Sequence, residues 1–507
     1  MLFATACSDT TYLVESDSYV IPVEDVQAPS GVDTRRGDLG DTSSPSGVDT
    51  ASNPSDTSSE EPFLDPFAVP KVDDGGLTNT AWTTEELLEN GELEGACDAY
   101  RDNPNDRQLM LRCGKWMFFY ETFGTAGVPK RLVELLLENF PEQLGAAFSA
   151  FGMIADPYTG HTLPLGMADD GNEGLAFTCA SCHMAQLPDG RYAVGAPNHQ
   201  YDYGGQNLVL VAFPMAAGGE ITQEILPEVK EALQPMLDVY WDDLDAQLDL
   251  WGWMMSMLGK PVPAFSKESQ QAYIQWEPGT MDFFIEPLPI NDTVHTVSKI
   301  AALWGIPSDA AVASSGMEHA MLGSTGNTLS LNNFVRQFAG LGGGNIEDWS
   351  PNDVAPLVAY IESLNPPTPV AGPGVDAGEK VFRTAGCIDC HSGPQGSGKR
   401  LYAFDEVDTD DALRLWMDPG GDGTGVPGVD MGDDVPTGLV KSPRLVGLWA
   451  MDKYLHNGSI STLDELLCLT PRPPSKASPL GNHGHTFGCD TLTYEEKTAL
   501  IDYLMSH

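Results

Sequence analysis

The sequence predicts a mainly α-helical protein built from two similar halves, and three observations carry that prediction. The pentapeptide CxxCH occurs twice, as Cys179–His183 within "AFTCASCHMAQ" and as Cys387–His391 within "AGCIDCHSG". Each half closes on the same amphipathic pattern, Leu-[Val/Ile]-x-Tyr-[Ile/Leu]-x-Ser, at residues 357–363 and 500–506. Between the halves, "NPPTPVAGPGVDAGEK" supplies the Pro and Gly that break a helix and open a linker.

In CxxCH the two thiols are spaced to add across the vinyl groups of a haem, and the His that follows lies against the same face as an axial ligand. A redox dithiol or half of a zinc site is the other reading of CxxC. Zinc would need further paired Cys or His at short spacing, and neither copy has them. The sequence therefore predicts two covalently bound c-type haems, one on Cys179, Cys182 and His183, the other on Cys387, Cys390 and His391. The fold class that follows is mainly α: two cytochrome c-like haem domains with long loops and helical insertions, preceded by a disordered acidic tail.

Residues 1–75 read as a truncated lipoprotein signal and a disordered acidic linker. In "MLFATAC" small residues precede Cys7, the residue a lipoprotein signal would present for lipidation, while the basic region and most of the apolar run are missing, as if translation began upstream. Residues 8 to 75 are rich in Ser, Thr, Asp, Gly and Pro, repeat "GVDT", and carry too little apolar surface to order themselves. Residues 76–369 read as an N-terminal haem domain with a helical insertion, since "LVELLLENF" and "ITQEILPEVKEALQPMLDVYWDDLDAQLDLWGWMMSML" have helical spacing. Its last helix opens with Ser350 as N-cap and Pro351 at the first helical position. Residues 370–507 read as a C-terminal cytochrome c domain, whose last helix opens with Thr493 and Glu496 in capping-box spacing.

The 507 residues carry a net charge of -47, which would repel nucleic acid and anionic membrane surfaces but suits a basic redox protein or a neutral small molecule. Of nine cysteines, four belong to the haem motifs. Cys97 with Cys113 and Cys468 with Cys489 enclose polar or Pro- and Gly-rich stretches and read as loop-closing disulfides, the other reading being free buried thiols. Disulfides imply an oxidising compartment. No run approaches the roughly 18 to 20 apolar residues that span a bilayer. The expectation is a periplasmic or cell-surface lipoprotein of a bacterium, touching the membrane only through a lipid at Cys7.

With the motifs placed, the chain resembles the bacterial di-haem cytochrome c peroxidase superfamily over roughly residues 150–507. "KSPRLVGLWAMDKYLHNGSISTLDELL", residues 441–467, is similar to that superfamily's signature, K-x-P-x-L-R followed by P-Y-x-H-x-G, matched by Lys441, Pro443, Leu445, Tyr454, His456 and Gly458. Within it, "LPLGMADDGNEGLAFTCASCHMAQLPDGRYAVGAPN" and "GNHGHTFG" are similar to the rubber-oxygenase-like branch. That likeness implies His485 as the second axial ligand of the C-terminal haem. The peroxidases use a Met shortly after the signature His, but Thr470 stands fourteen residues beyond His456 here, leaving Met431 as a lesser substitute.

A haem with two protein ligands passes electrons, whereas one with an open position binds peroxide or oxygen. The resemblance thus implies a C-terminal electron reservoir on His391 and His485, and a reactive N-terminal haem with its distal pocket from residues 302–338. Asn332 or Asn333 stands where peroxidases place an acid for O–O cleavage. Glu318 and His319 are nearby candidates, each with a plain reading as a solvated loop residue; His319 or His295 could instead be a sixth ligand. Trp304 is a candidate relay between haems or simply a core aromatic. His456 is implied as a pocket residue, and His161, His199 and His483 read as surface or packing residues. The acidic loop 418–434 offers oxygens for calcium but lacks EF-hand spacing and reads as solvated. The functional expectation is a di-haem oxidoreductase activating peroxide or oxygen; the alternative is a di-haem electron carrier with no substrate of its own.

Overall fold

Two pairs of crossed helices frame the chain. The structure, a computed structural model, describes residues 67, 71–125, 127–218, 225–239, 244–257, 274, 276–282, 297–341, 349–369, 373–416, 436–472 and 481–507. Cys7, His295, Met431, the acidic loop 418–434 and nearly all of the acidic linker lie outside the described residues.

Helix α1 (Arg107–Tyr120) starts at Asp106, whose carboxylate accepts from the Gln108 and Leu109 amides at 2.9 and 3.2 Å. It buries Leu111, Met117, Phe118 and Phe119. The first CxxCH forms the short helix α2 (Cys179–His183). Helix α3 (Pro351–Ser363) packs on α1 through Val354, Leu357, Tyr360 and Ile361; its expected cap is a full capping box between Ser350 and Asp353. In the C-terminal half, α4 (Val375–Thr384) leads into α5 (Cys387–Cys390), and α6 (Tyr494–Leu504), capped by Thr493 and Glu496 as expected, returns across α4. Each fully buried apolar side chain here contributes roughly 1.5–3 kcal/mol.

Both crossings use one device. A Cβ on Gly114 of α1 would stand 2.0 Å from the Pro356 oxygen of α3, and one on Gly378 of α4 would stand 1.9 Å from the Ala499 oxygen of α6. Only glycine lets these backbones approach so closely. The two halves share more than their end helices: in each, a Gly-bearing helix runs ahead of CxxCH and is crossed by the closing helix.

Strands are few and short. Gly174–Phe177, flanked by Val128–Pro129 and Met167–Asp169, leads into α2, and Met184–Gln186 leaves it to pair with Tyr192–Val194. The helices expected in the insertion appear as Lys130–Asn139, Pro227–Leu237 and Leu244–Met257. Both expected disulfides are present, Cys97–Cys113 and Cys468–Cys489. Residues Phe63–His507 form one compact unit, and Trp304 and Val446, from opposite halves, share a core cluster with α1 and α3. No helix among the described residues is long and apolar enough to cross a membrane.

Candidate haem sites

The N-terminal motif is gripped from both sides by backbone. The Thr178 hydroxyl donates to the Phe119 oxygen of α1 at 3.0 Å, and the Thr178 amide to the Gly166 oxygen at 2.9 Å. The segment "GAPN" then closes over α2: the Gly195 amide donates to the His183 oxygen at 2.7 Å and the Asn198 amide to the Cys182 oxygen at 2.8 Å. Gly195 is required there, with φ of 82° and the Trp304 ring 2.8 Å from where a Cβ would be. His183 Nδ1 lies 3.0 Å from the Ala301 oxygen. A carbonyl can only accept, so Nδ1 carries the proton and Nε2 keeps a free lone pair. Burial pushes the His183 pKa down to about 4, which keeps the ring neutral, the form that ligates iron.

The C-terminal motif repeats this arrangement over a shorter reach. His391 Nδ1 lies 2.8 Å from the Gly396 oxygen, and burial lowers the pKa of this imidazole too. Opposite it stands His485, with ring centroids 6.4 Å apart. Two imidazoles bound to one metal through nitrogens about 2 Å away have ring centres roughly 6 Å apart, close to the separation here. His485 Nδ1 is buried without a hydrogen-bond partner, and burial pushes its pKa down to about 4. His485 itself sits at φ of 48°, a conformation that non-glycine residues disfavour, and its amide donates to the Val407 oxygen at 2.9 Å.

These residues fit haem better than zinc or a redox dithiol. All four motif cysteines are free thiols rather than disulfides, and no group of three or more His, Cys, Asp or Glu able to hold a metal ion occurs among the described residues. Buried cations add a further match. Arg444, whose charge lowers the pKa of His183, donates to the Ala302 and Trp304 oxygens at 2.5 and 3.1 Å; Lys441, whose charge acts on His391 likewise, is itself pushed down to about 7 by burial and by Arg444. Neither has a carboxylate partner among the described residues. A buried cation without an anion is costly, and a haem brings carboxylates that would neutralise it.

The other candidates fall elsewhere. Trp304 is fully buried, donates Nε1 to the Val194 oxygen at 2.8 Å, and faces both Gly195 beside the first motif and Gly447 of the signature stretch. Glu318 and His319 sit together at the surface, 3.8 Å apart, with 89% and 46% of their side chains exposed. Asn333 is buried, while the Asn332 side chain donates Nδ2 to the Pro351 oxygen at 3.1 Å. His456 is buried with Nε2 2.9 Å from Asp410 Oδ2, an ion-pair distance without hydrogen-bond alignment. His161 and His483 are exposed; His199 is buried, its ring nitrogens 2.7 Å from Asp452 Oδ1 and 3.0 Å from the Ile300 oxygen.

Residues 440–475 match the family model described as RoxA-like, cytochrome c-like. The C-terminal region is therefore cytochrome c-like, the class that carries covalently attached haem. The matched stretch contains the signature, with Lys441, Arg444 and His456, and it ends just past Arg472. No curated protein matches the chain. Among solved structures, hydrazine synthase from Kuenenia stuttgartiensis is similar at 17% identity and a TM-score of 0.27, over 47% of this chain and 79% of that one. A MauG-like protein associated with microbial copper homeostasis is similar at 17% identity and a TM-score of 0.27, over 41% and 72%.

Reasoning from the sequence missed Arg444, Asp452 and Arg472. Arg444 offered a signal: it stands two residues before Val446, which occupies the signature's Arg position.

Proposed function

We propose that this protein is a di-haem c-type cytochrome oxidoreductase of the di-haem peroxidase superfamily, close to its rubber-oxygenase-like branch. The observation that carries the division of labour is His485 standing 6.4 Å from His391. Cys387, Cys390, His391 and His485 hold the haem that stores and passes electrons, with residues 370–507 as its domain. Cys179, Cys182 and His183, in a domain spanning 76–369, hold the haem that meets peroxide or oxygen. The redox chemistry is supplied by the haem irons when bound.

The chain's own contribution is positioning and charge. Ala301 and Gly396 fix the two imidazoles with their protons on Nδ1, which strengthens each ring as a ligand. Arg444 and Lys441 place positive charge beside the two sites. Trp304, packed between the two motif regions, is the relay that joins them. Glu318 and His319, side by side on the surface, are the proton-handling pair that the resemblance offers. The partners are a small oxidant and a basic redox protein drawn by the net charge of -47. Its location is outside the cytoplasm, where both disulfides persist, with a lipid on Cys7 as anchor.

The absorption spectrum of the reduced, haem-loaded protein with and without carbon monoxide tests this reading. About half of the haem should shift, and that half should turn over peroxide or take up oxygen. If neither haem shifts, both irons are closed and the protein is an electron carrier.

A further inference from the structure

The loop 481–488 has no regular secondary structure, holds residues at positive φ, and carries His485, whose ring faces His391. Besides the His485 amide bond to the Val407 oxygen and a bond from Asn457 to the Gly481 oxygen at 3.2 Å, one side chain makes more of its contacts than any other. Arg472 Nε donates to the Glu465 oxygen at 3.2 Å, and Nη2 to the Leu466 oxygen at 3.0 Å and the His485 oxygen at 3.3 Å. Nη1 donates to the Asn482 oxygen at 3.0 Å and the Gly484 oxygen at 2.7 Å. All five guanidinium N–H donors are thereby used, every one on a backbone carbonyl. Two of those carbonyls belong to the end of helix Leu463–Leu466, which follows the signature directly; the other three flank or belong to the His485 turn. The Cys468–Cys489 disulfide ties the ends of the same stretch. The covalent link limits how far the loop can travel, and Arg472 fixes how its middle is turned.

We infer that Arg472 is the positioning residue that sets the coordination state of the C-terminal haem, by holding the His485 turn against the body of the domain. This rests on His485 being the second axial ligand. Without the fork, three carbonyls converge with no donor between them, each carrying the cost of an unmade hydrogen bond, and the strained His485 backbone loses its counterweight. The turn would then relax, and His485 would no longer be held where it could ligate the iron. Lysine cannot replace the fork, since an ammonium has three donors on one nitrogen and cannot span the helix end and the loop together.

The experiment compares wild type, Arg472→Gln, Arg472→Lys and His485→Ala, all loaded with haem, by the low-spin haem signal in electron paramagnetic resonance and the fraction of reduced haem that shifts with carbon monoxide. His485→Ala establishes the reading beneath: it should open the C-terminal haem, and if it leaves the signal unchanged, that reading fails whatever Arg472 does. If His485→Ala opens the site, Arg472→Gln should raise the carbon monoxide-reactive fraction from about one half toward all, Arg472→Lys should fall between, and added imidazole should restore the low-spin signal in both. A lower melting temperature with an unchanged signal and fraction in the Gln variant would mean that Arg472 only stabilises the fold, and the inference is overturned. Should the Gln variant fail to accumulate, the Lys variant decides on the same two readouts.

Discussion

The two candidate haem sites hold their motif histidines by the same bond but over very different lengths of chain. His391 donates to a carbonyl 5 residues away, whereas His183 donates to one 118 residues away. The C-terminal site is closed by its own neighbourhood, with α4, α5, α6 and the His485 turn all drawn from residues 375–507. The N-terminal site is assembled from α1, the Gly195–Asn198 segment and the 301–304 stretch, and Arg444 of the other half braces that stretch. Closing a long loop costs more chain entropy than closing a short one, though only slowly with length. The difference teaches that the C-terminal imidazole is fixed by its own neighbourhood, while the N-terminal one depends on the two halves being packed together.

The largest effect is expected from removing the attachment cysteines in pairs. Cys387→Ser with Cys390→Ser should lower haem content from about two per chain to about one and abolish the bis-histidine low-spin signal. Cys179→Ser with Cys182→Ser should lower haem content equally and leave that signal in place. Pyridine haemochrome assay and paramagnetic resonance check both. A low-spin signal that followed the N-terminal pair instead would reverse the roles assigned to the two sites.

That contrast also explains what could be read from the sequence. CxxCH is legible because its chemistry depends on five consecutive residues, and the end helices are legible because Ser350, Pro351, Thr493 and Glu496 act within one turn. The disulfides were legible from enclosed stretches of loop composition. His485 came only from resemblance, since nothing in its spacing from His391 marks it. Ala301 could not have been found, because the group that receives the His183 proton is a backbone carbonyl that any residue would provide. Arg472 was hidden for the same reason five times over. Gly114 and Gly378 were within reach: a glycine inside "LMLRCGKWMFF" and another inside "VDAGEKVF", ahead of matching motifs, are a pair that superposing the two halves would have exposed.

Those glycines give the next effect. Gly114→Ala and Gly378→Ala each force a methyl into a facing backbone oxygen, and overpacking of this kind costs about 3 kcal/mol or more because backbone cannot swing aside. Denaturant unfolding should show similar losses for both. Their haem signatures should differ, with Gly378→Ala weakening the low-spin signal and Gly114→Ala weakening the response to carbon monoxide.

A smaller loss is expected from Trp304→Phe. The ring stays apolar, but the Val194 oxygen loses its donor, at a cost of about 1–3 kcal/mol. If Trp304 is the relay, equilibration of electrons between the haems after flash reduction should slow well beyond what that loss of stability explains. Unchanged equilibration would leave Trp304 as a packing residue at the junction of the halves.

The smallest effect concerns how each half tolerates a buried lysine. In the C-terminal half Lys497 donates to the Cys489 oxygen at 2.6 Å. In the N-terminal half Lys115, fully buried on α1, donates to the Thr78 oxygen at 2.6 Å and pairs with Glu89 at 3.3 Å. Burial, outweighing the attraction of Glu89, pushes the Lys115 pKa down to about 8 from its ordinary value of 10.5. Below about pH 8 the lysine is charged in both folded and unfolded chains, and the cost of burying it is constant. Between about 8 and 10.5 the unfolded chain binds more protons than the folded one, so this residue's contribution to stability rises with pH. Relative to Lys115→Met, which does not titrate, the wild-type melting temperature should therefore gain as pH is raised from 8 to 10. A difference that stays flat, or moves the other way, would mean that Glu89 and the Thr78 carbonyl hold the charge on Lys115 more firmly than its burial opposes it.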